Sequence, residues 1–104
     1  MSVQHHIEIP KSFGALYTHE GSQQRHAPRD FVAIRYELCE DMACMLVDIA
    51  EHMASGLGIS RQDALARCHF GLRKGRSAVT EIESDWIIRR LAELLVWEPL
   101  SGLS

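Results

Sequence analysis

The stretch "PRDFVAIRYELCEDMACMLVDIAEHMASG", residues 28–56, decides the fold class of this chain. Its apolar side chains recur at steps of three and four residues, which is the spacing of one face of an α-helix. Pro28 suits the first helical turn, and Gly56 and Gly58 suit a helix end. We therefore predict one helix of about 27 residues, roughly 40 Å long. The members of its apolar row are Phe31, Ile34, Leu38, Met42, Met45, Ile49 and Met53.

Two further helices follow the long one. Ser60 is the candidate N-cap of a short second helix, which is predicted to end near Leu72. Thr80 and Glu83 have the spacing of a capping box at the start of a third helix, and Pro99 is expected to end it. The third helix is apolar on two sides, which is typical of a helix that lies between two partners.

The residues before Pro28 differ from the rest of the chain. "HHIEIP" alternates weakly, and "THEGSQQRHAP" is polar and rich in residues that disfavour helices. The predicted fold class is all-α: a small three-helix domain, with one long, one short and one medium helix, and an extended N-terminal arm. The predicted organisation is an arm or loop at 1–27, a helical domain at 28–98 and a tail at 99–104.

Size, charge and cysteine content exclude several classes of protein. The 104 residues suffice for one modest core, and a net charge of -3 gives no general attraction to nucleic acid. Three cysteines form no even disulfide set, and the N-terminus has no signal-peptide pattern, so we expect a reducing cytoplasm. No apolar run approaches the roughly 20 residues of a membrane span. We expect no membrane partner and no cofactor.

The run "GLRKGRS", residues 71–77, is close to a phosphate-binding loop. A Walker A loop has one more residue between its glycines, carries lysine where Arg76 stands, and follows a strand. Here the run follows a helix. We interpret it as the connection between the second and third helices, with Ser77 near the start of the third.

Three segments resemble a group of small bacterial proteins that are sometimes labelled "ATPase with chaperone activity". The segments are "PRDFVAIRYELCEDMA", "GISRQDALARCHFGL" and "WIIRRLAELLVW", and the resemblance covers roughly residues 7–98. The label implies nucleotide binding and hydrolysis. The chain departs from that implication because it has no P-loop. No residue role is carried over.

Candidate chemistry comes from histidines, cysteines and charged side chains. Asp48 and His52 lie four residues apart on the long helix and are the candidate metal ligands, which histidines of the arm would complete; the alternative is a solvated polar face. Cys68 and His69 are adjacent on a helix and point apart, so we predict a buried structural cysteine and a packed or hydrogen-bonded histidine. Acidic residues at the start of the third helix disfavour DNA reading.

The surplus apolar surface leads to a prediction of function. We expect a non-enzymatic helical protein that acts through protein contacts, as an adaptor or regulator, and that forms a homodimer. The alternatives are a metal-binding or sensing protein and a nucleotide-binding protein. The predicted interface residues are Phe31, Leu38, Met42, Met45, Ile82, Trp86 and Trp97.

Overall fold

A computed structural model describes residues 8–17, 28–74 and 78–100 of the chain. About 80% of these residues are helical and none of them is in a strand, which confirms the all-α prediction. The chain divides into two compact units, residues 1–37 and 38–104. Each unit is described by itself below.

The first unit contains a short helix within the predicted arm. Helix α1, Lys11–Gly14, continues as a 3₁₀ turn, Ala15–Tyr17. Phe13 is fully buried, and its ring centroid lies 5.6 Å from that of Tyr17 and 5.6 Å from that of Tyr36. Aromatic packing around Phe13 explains why these residues are helical where the sequence predicted an extended arm.

Helix α2, Arg29–Glu51, begins where the proline predicted it. The amide of Val32 donates to the carbonyl of Pro28 at 3.1 Å. A π-helical turn, His52–Gly56, prolongs α2 to a helical run of 28 residues. Gly58 has a φ of +73°, a conformation that requires glycine, whereas a Cβ on Gly56 would meet the exposed ring of His52, 2.8 Å from its Nδ1.

Helices α3, Arg61–Lys74, and α4, Glu81–Leu95, both carry the predicted N-caps. The hydroxyl of Ser60 accepts a hydrogen bond from the amide of Asp63 at 3.1 Å. Thr80 and Glu83 form a reciprocal capping box, with bonds of 2.9 and 3.2 Å. These contacts confirm that local capping chemistry determines where both helices begin. Helix α3 extends two residues beyond the predicted end near Leu72.

Helices α3 and α4 form an antiparallel pair in the second unit. His69 Nε2 lies 2.7 Å from Asp85 Oδ1, and Arg73 forms an ion pair with Glu81. Large aliphatic side chains of α4, those of Ile87, Ile88 and Leu91, are fully buried. The buried apolar residues of this unit are Cys39, Ala43, Ala50, Ala64, Leu65, Cys68, Leu72, Trp86, Ile87, Ile88, Leu91 and Ala92.

One two-pronged ion pair joins α2 to α4. Arg90 donates from Nε to Glu40 Oε1 at 2.8 Å and from a terminal nitrogen to Glu40 Oε2 at 2.9 Å. Arg90 also donates to Glu93 at 3.1 Å. The hydrogen bond to Glu40 raises the pKa of the Arg90 guanidinium, which therefore stays charged. A planar guanidinium on a carboxylate defines one geometry between the two helices.

Helix α4 ends earlier than Pro99 would require. The amide of Trp97 donates to the carbonyl of Ala92 at 2.9 Å, and that of Val96 to Glu93 at 3.1 Å. This pair of hydrogen bonds is the Schellman arrangement of a helix end. Val96 takes the left-handed conformation, with a φ of 58°, at the position where glycine is usual. The segment after α4 then crosses α3, where the side-chain amide of Gln62 donates to the carbonyls of Glu98 and Pro99.

Candidate functional site

Helix α2 presents two different apolar rows within the second unit. The first row contains the small residues Cys39, Ala43 and Ala50, all fully buried, and the half-buried Leu46. The second row consists of large residues, and its outer members are Met45, which is 60% exposed, and Ile49, which is 48% exposed. Leu38 and Met42 complete the second row and are half-buried. We call Leu38, Met42, Met45 and Ile49 the α2 row.

The two rows are turned from one another by about 100° around the helix axis, because their members are successive residues. Small side chains on the buried row are covered completely by their surroundings. The larger side chains of the α2 row are then directed sideways into solvent. The apolar row that predicted the helix is therefore exposed or half-buried, and the row that the chain buries lies beside it.

The α2 row has an acidic border. Asp41 and Asp48 lie on its outer side and are exposed, and Glu51 is exposed one turn after Asp48. The charged residues between positions 38 and 51 are all acidic. The surface thus combines flexible apolar side chains, two of them methionines, with negative charge on one edge.

The other predicted interface residues lie in different surroundings. Phe31, in the first unit, is 46% exposed, and Ile82 on α4 is 48% exposed. Trp86 is 6% exposed and belongs to the core of the second unit, so it leaves little surface for a partner. Trp97 is half-buried, with the guanidinium carbon of Arg61 5.3 Å from its ring centroid. On the second apolar side of α4, Trp86 is therefore covered within the chain itself, and Ile82 is exposed.

The candidate metal ligands lie on the surface of the helical run. Asp48 and His52 are both exposed. Within residues 8–17, 28–74 and 78–100, no group of three or more histidine, cysteine, aspartate or glutamate side chains could hold a metal ion. The arm histidines that would complete the set, His5, His6, His19 and His26, lie outside the described residues.

Cys68 and His69 adopt the structural roles that their spacing predicted. Cys68 is buried on the face of α3 that it shares with Leu65 and Leu72, and burial raises the pKa of its thiol. A thiol in that setting is a poor nucleophile because the thiolate is disfavoured. His69 is tied to Asp85 across the pair of helices, as a hydrogen-bonded histidine.

The "GLRKGRS" run begins inside a helix. Gly71 belongs to α3, and Arg73 and Lys74 form its last turn, where cations interact favourably with the helix dipole. The helical context agrees with a connection between helices and differs from the strand that a Walker A loop requires. Residues 75–77 lie outside the described part of the chain.

A groove lies on the outer surface of α3, beside the segment that follows α4. Its volume is about 650 Å³, within the range of small-molecule sites. Phe70, which is 64% exposed, lies in it, and Lys74 Nζ is 5.1 Å from the ring centroid of Phe70. We call it the α3 groove; its lining residues are Ala66, His69, Phe70, Arg73, Lys74 and Leu100.

A second groove, of about 590 Å³, lies near the end of the long helical run. Its lining brings the carboxylate of Glu51 and the guanidinium of Arg61 to one site, together with Trp97 and the hydroxyls of Ser55 and Ser60. Arg61 is already engaged with the ring of Trp97. Opposite charges leave this groove without a clear preference for a ligand of either sign.

Sequence reasoning missed the α3 groove. Leu100 is 34 positions from Ala66 along the chain, and the two meet because α4 folds back along α3 and ends in the left-handed turn at Val96. The available signal was the row Ala66, Phe70 and Lys74 at steps of four, with one large aromatic among polar neighbours.

Comparison with known proteins gives no relative from which the role of the α2 row or of either groove could be inferred. No family model, no curated protein and no solved structure matches this chain. None of the helices in the described residues is sufficiently long and apolar to cross a bilayer.

Proposed function

We propose that this protein acts through protein contacts, as a non-enzymatic adaptor or regulator, and that it forms a homodimer through the α2 row. The observation that carries the proposal is the exposure of Met45 and Ile49 beside two half-buried neighbours on one helix face. Large apolar side chains grouped in this way are typical of contact surfaces. The proposal sets the protein in a reducing cytoplasm, and three free cysteines support that setting.

A two-fold axis across the α2 row would bury the same side chains of both copies against each other. The row extends from Leu38 to Ile49, a length of about 17 Å. A row of this length buries less area than the roughly 800 Å² that each partner contributes to a standard interface. We therefore expect a reversible dimer, so that the average mass of the protein in solution rises with concentration.

Light scattering on the untagged full chain, eluted from a sizing column at several concentrations, tests the homodimer. We expect the wild type to reach the mass of two chains. Met45→Glu should remain at the mass of one chain, because it puts a carboxylate where the partner excludes water. Cys44→Glu is the matched control, since Cys44 is exposed on α2 but lies outside the row. The homodimer is refuted by a wild-type mass of one chain throughout, or by equal masses for both variants.

Salt dependence gives a second test of the same face. Two copies of the α2 row bring their acidic borders near each other, and salt screens the repulsion between them. The dimer should therefore tighten when sodium chloride is raised from about 50 mM to about 500 mM. Sedimentation equilibrium measures the change. A dimer that weakens with salt is held by pairs of opposite charges and uses a different face.

A second candidate partner is a basic amphipathic helix of another protein. The acidic border beside a row that contains Met42 and Met45 favours it, because methionines adapt to varied apolar surfaces and the acids attract lysine and arginine. Titration of a synthetic helical peptide of leucine and lysine tests it by fluorescence anisotropy. Binding that Met45→Glu removes and that weakens with salt supports the basic partner. Binding equal in wild type and Met45→Glu excludes it.

A further inference from the structure

We propose that the α3 groove binds a small aromatic carboxylate. This inference goes beyond the proposed function and concerns a different surface of the second unit. The groove combines an apolar floor, a volume suited to a small molecule and, among its described lining residues, the ammonium of Lys74 with no carboxylate partner. None of these features takes part in the α2 row.

The floor of the groove is apolar and is built from distant parts of the chain. Ala66 and Phe70 supply the surface of α3, and Leu100 supplies the opposite wall. The Phe70 ring remains 64% exposed despite these neighbours. An exposed aromatic face favours a ligand with a flat aromatic body, because offset stacking adds to the burial of apolar surface.

The charges at the rim select a ligand with one negative charge. His69 lies 2.7 Å from the carboxylate of Asp85, and Arg73 pairs with that of Glu81. Both rim residues therefore already have a carboxylate partner. Among the described residues, no carboxylate forms an ion pair with Lys74, whose ammonium lies over the Phe70 ring instead. One ammonium beside an aromatic floor matches a monoanion better than a phosphate of higher charge.

The wall formed by Leu100 is held in position before any ligand arrives. The Schellman end at Val96 and Trp97 turns the chain back, and the two bonds from the Gln62 amide, 3.3 and 3.2 Å long, fasten the segment to α3. Capping of α4 and the ion pair between Arg73 and Glu81 fix the other end of the helix pair. A preformed groove lowers the ordering cost of binding.

Nuclear magnetic resonance titration of the full ¹⁵N-labelled chain tests this site, with 1-naphthoate as the probe and the uncharged 1-naphthamide as its matched comparison. We expect saturable shift changes at the amides of Ala66, Phe70 and Leu100. Lys74→Gln should weaken naphthoate binding about three- to fivefold, as for an exposed ion pair, and leave naphthamide binding unchanged. Phe70→Ser should weaken the binding of both compounds.

Arg67→Gln is the control for a general loss of positive charge, since Arg67 is exposed on α3 outside the groove lining. It should leave the affinity for naphthoate as in the wild type. Circular dichroism of each variant verifies that helix content is retained. The proposal is overturned by shift changes that do not saturate, by changes centred on Met45 and Ile49, or by equal effects of Lys74→Gln and Arg67→Gln.

Discussion

Helices α2 and α4 are both amphipathic, yet they use their side chains in opposite ways. Helix α4 buries its large residues, Ile87, Ile88 and Leu91, each of which is fully covered. Helix α2 buries small residues in the second unit, and its large ones, Met45 and Ile49, are exposed. The difference teaches that apolar size along a helix does not by itself identify the face that the core will use.

The physical reason is how far each side chain reaches. Small side chains on α2 are covered completely by their surroundings, whereas the longer Met45 and Ile49 on the adjacent face extend into solvent. Glu40 and Arg90 define how α2 lies against α4 at one point, because their two-pronged pair permits little variation in geometry. The exposed row of α2 is the consequence, and it is the surface that the proposed function uses.

Shortening a large side chain on each helix sharpens this comparison the most. Leu91→Ala should lower the free energy of unfolding by about 2–5 kcal/mol, because it removes contacts and leaves a cavity in the core. Met45→Ala should change it by less than about 0.5 kcal/mol in dilute monomeric protein. Urea unfolding followed by circular dichroism measures both. Equal losses would mean that Met45 is as well packed as Leu91.

Enlarging a small side chain on α2 tests the opposite half of the comparison. Ala43→Leu should destabilise the fold by about 1–3 kcal/mol, because a fully buried alanine leaves no room for three more carbons. Cys44→Leu adds a similar volume at the next, exposed position and should be nearly neutral. The same urea experiment compares them. A neutral Ala43→Leu would contradict the complete burial of this row.

The ends of the two helices provide a third and smaller difference. The long helical run ends at Gly56 and Gly58, whereas α4 ends at Val96 in the left-handed conformation. Val96 is 85% exposed, so Val96→Gly removes backbone strain and loses little packing. We expect a gain in stability of about 1 kcal/mol, measured by thermal unfolding. Val96→Ala keeps the strained conformation and should show no comparable gain.

Thiol reactivity distinguishes the faces of α2 without any change in stability. Cys44 is exposed and should react quickly with a disulfide reagent such as Ellman's reagent, whereas Cys39 and Cys68 should react only as the protein unfolds. Three fast thiols in the native protein would contradict the buried row. Variants with Cys44→Ser provide the control, because they should lose the fast phase alone.

Burial of Cys68 also implies a direction of pH dependence. Burial raises the pKa of its thiol above the ordinary value of 9.0, so the folded state disfavours the thiolate. The stability contributed is complete below pH 9.0 and is lost as the pH rises through the folded value. Unfolding in urea at increasing alkaline pH measures the loss. Cys68→Ala should show a shallower decline than the wild type, and parallel declines would exclude this thiol as the cause.

The sequence by itself determined the helices and their beginnings. Proline at 28, the Ser60 cap and the Thr80–Glu83 capping box act within a few residues, so their effect can be read without knowledge of the fold. The short helix at Lys11–Tyr17 was missed, because it depends on burial of Phe13 among other aromatic rings. The end of α4 was also missed, since valine at the left-handed position carries no local signal for a helix end.

Only the tertiary structure decided which apolar row of α2 is buried and where the α3 groove lies. Both depend on the distance between elements that are far apart in the chain, and periodicity reports only the faces of one helix at a time. Trp86 illustrates the limit: the spacing that placed it on an outer face of α4 could not show that the core would cover it. Side-chain patterns define candidate faces, and the close packing of helices selects among them.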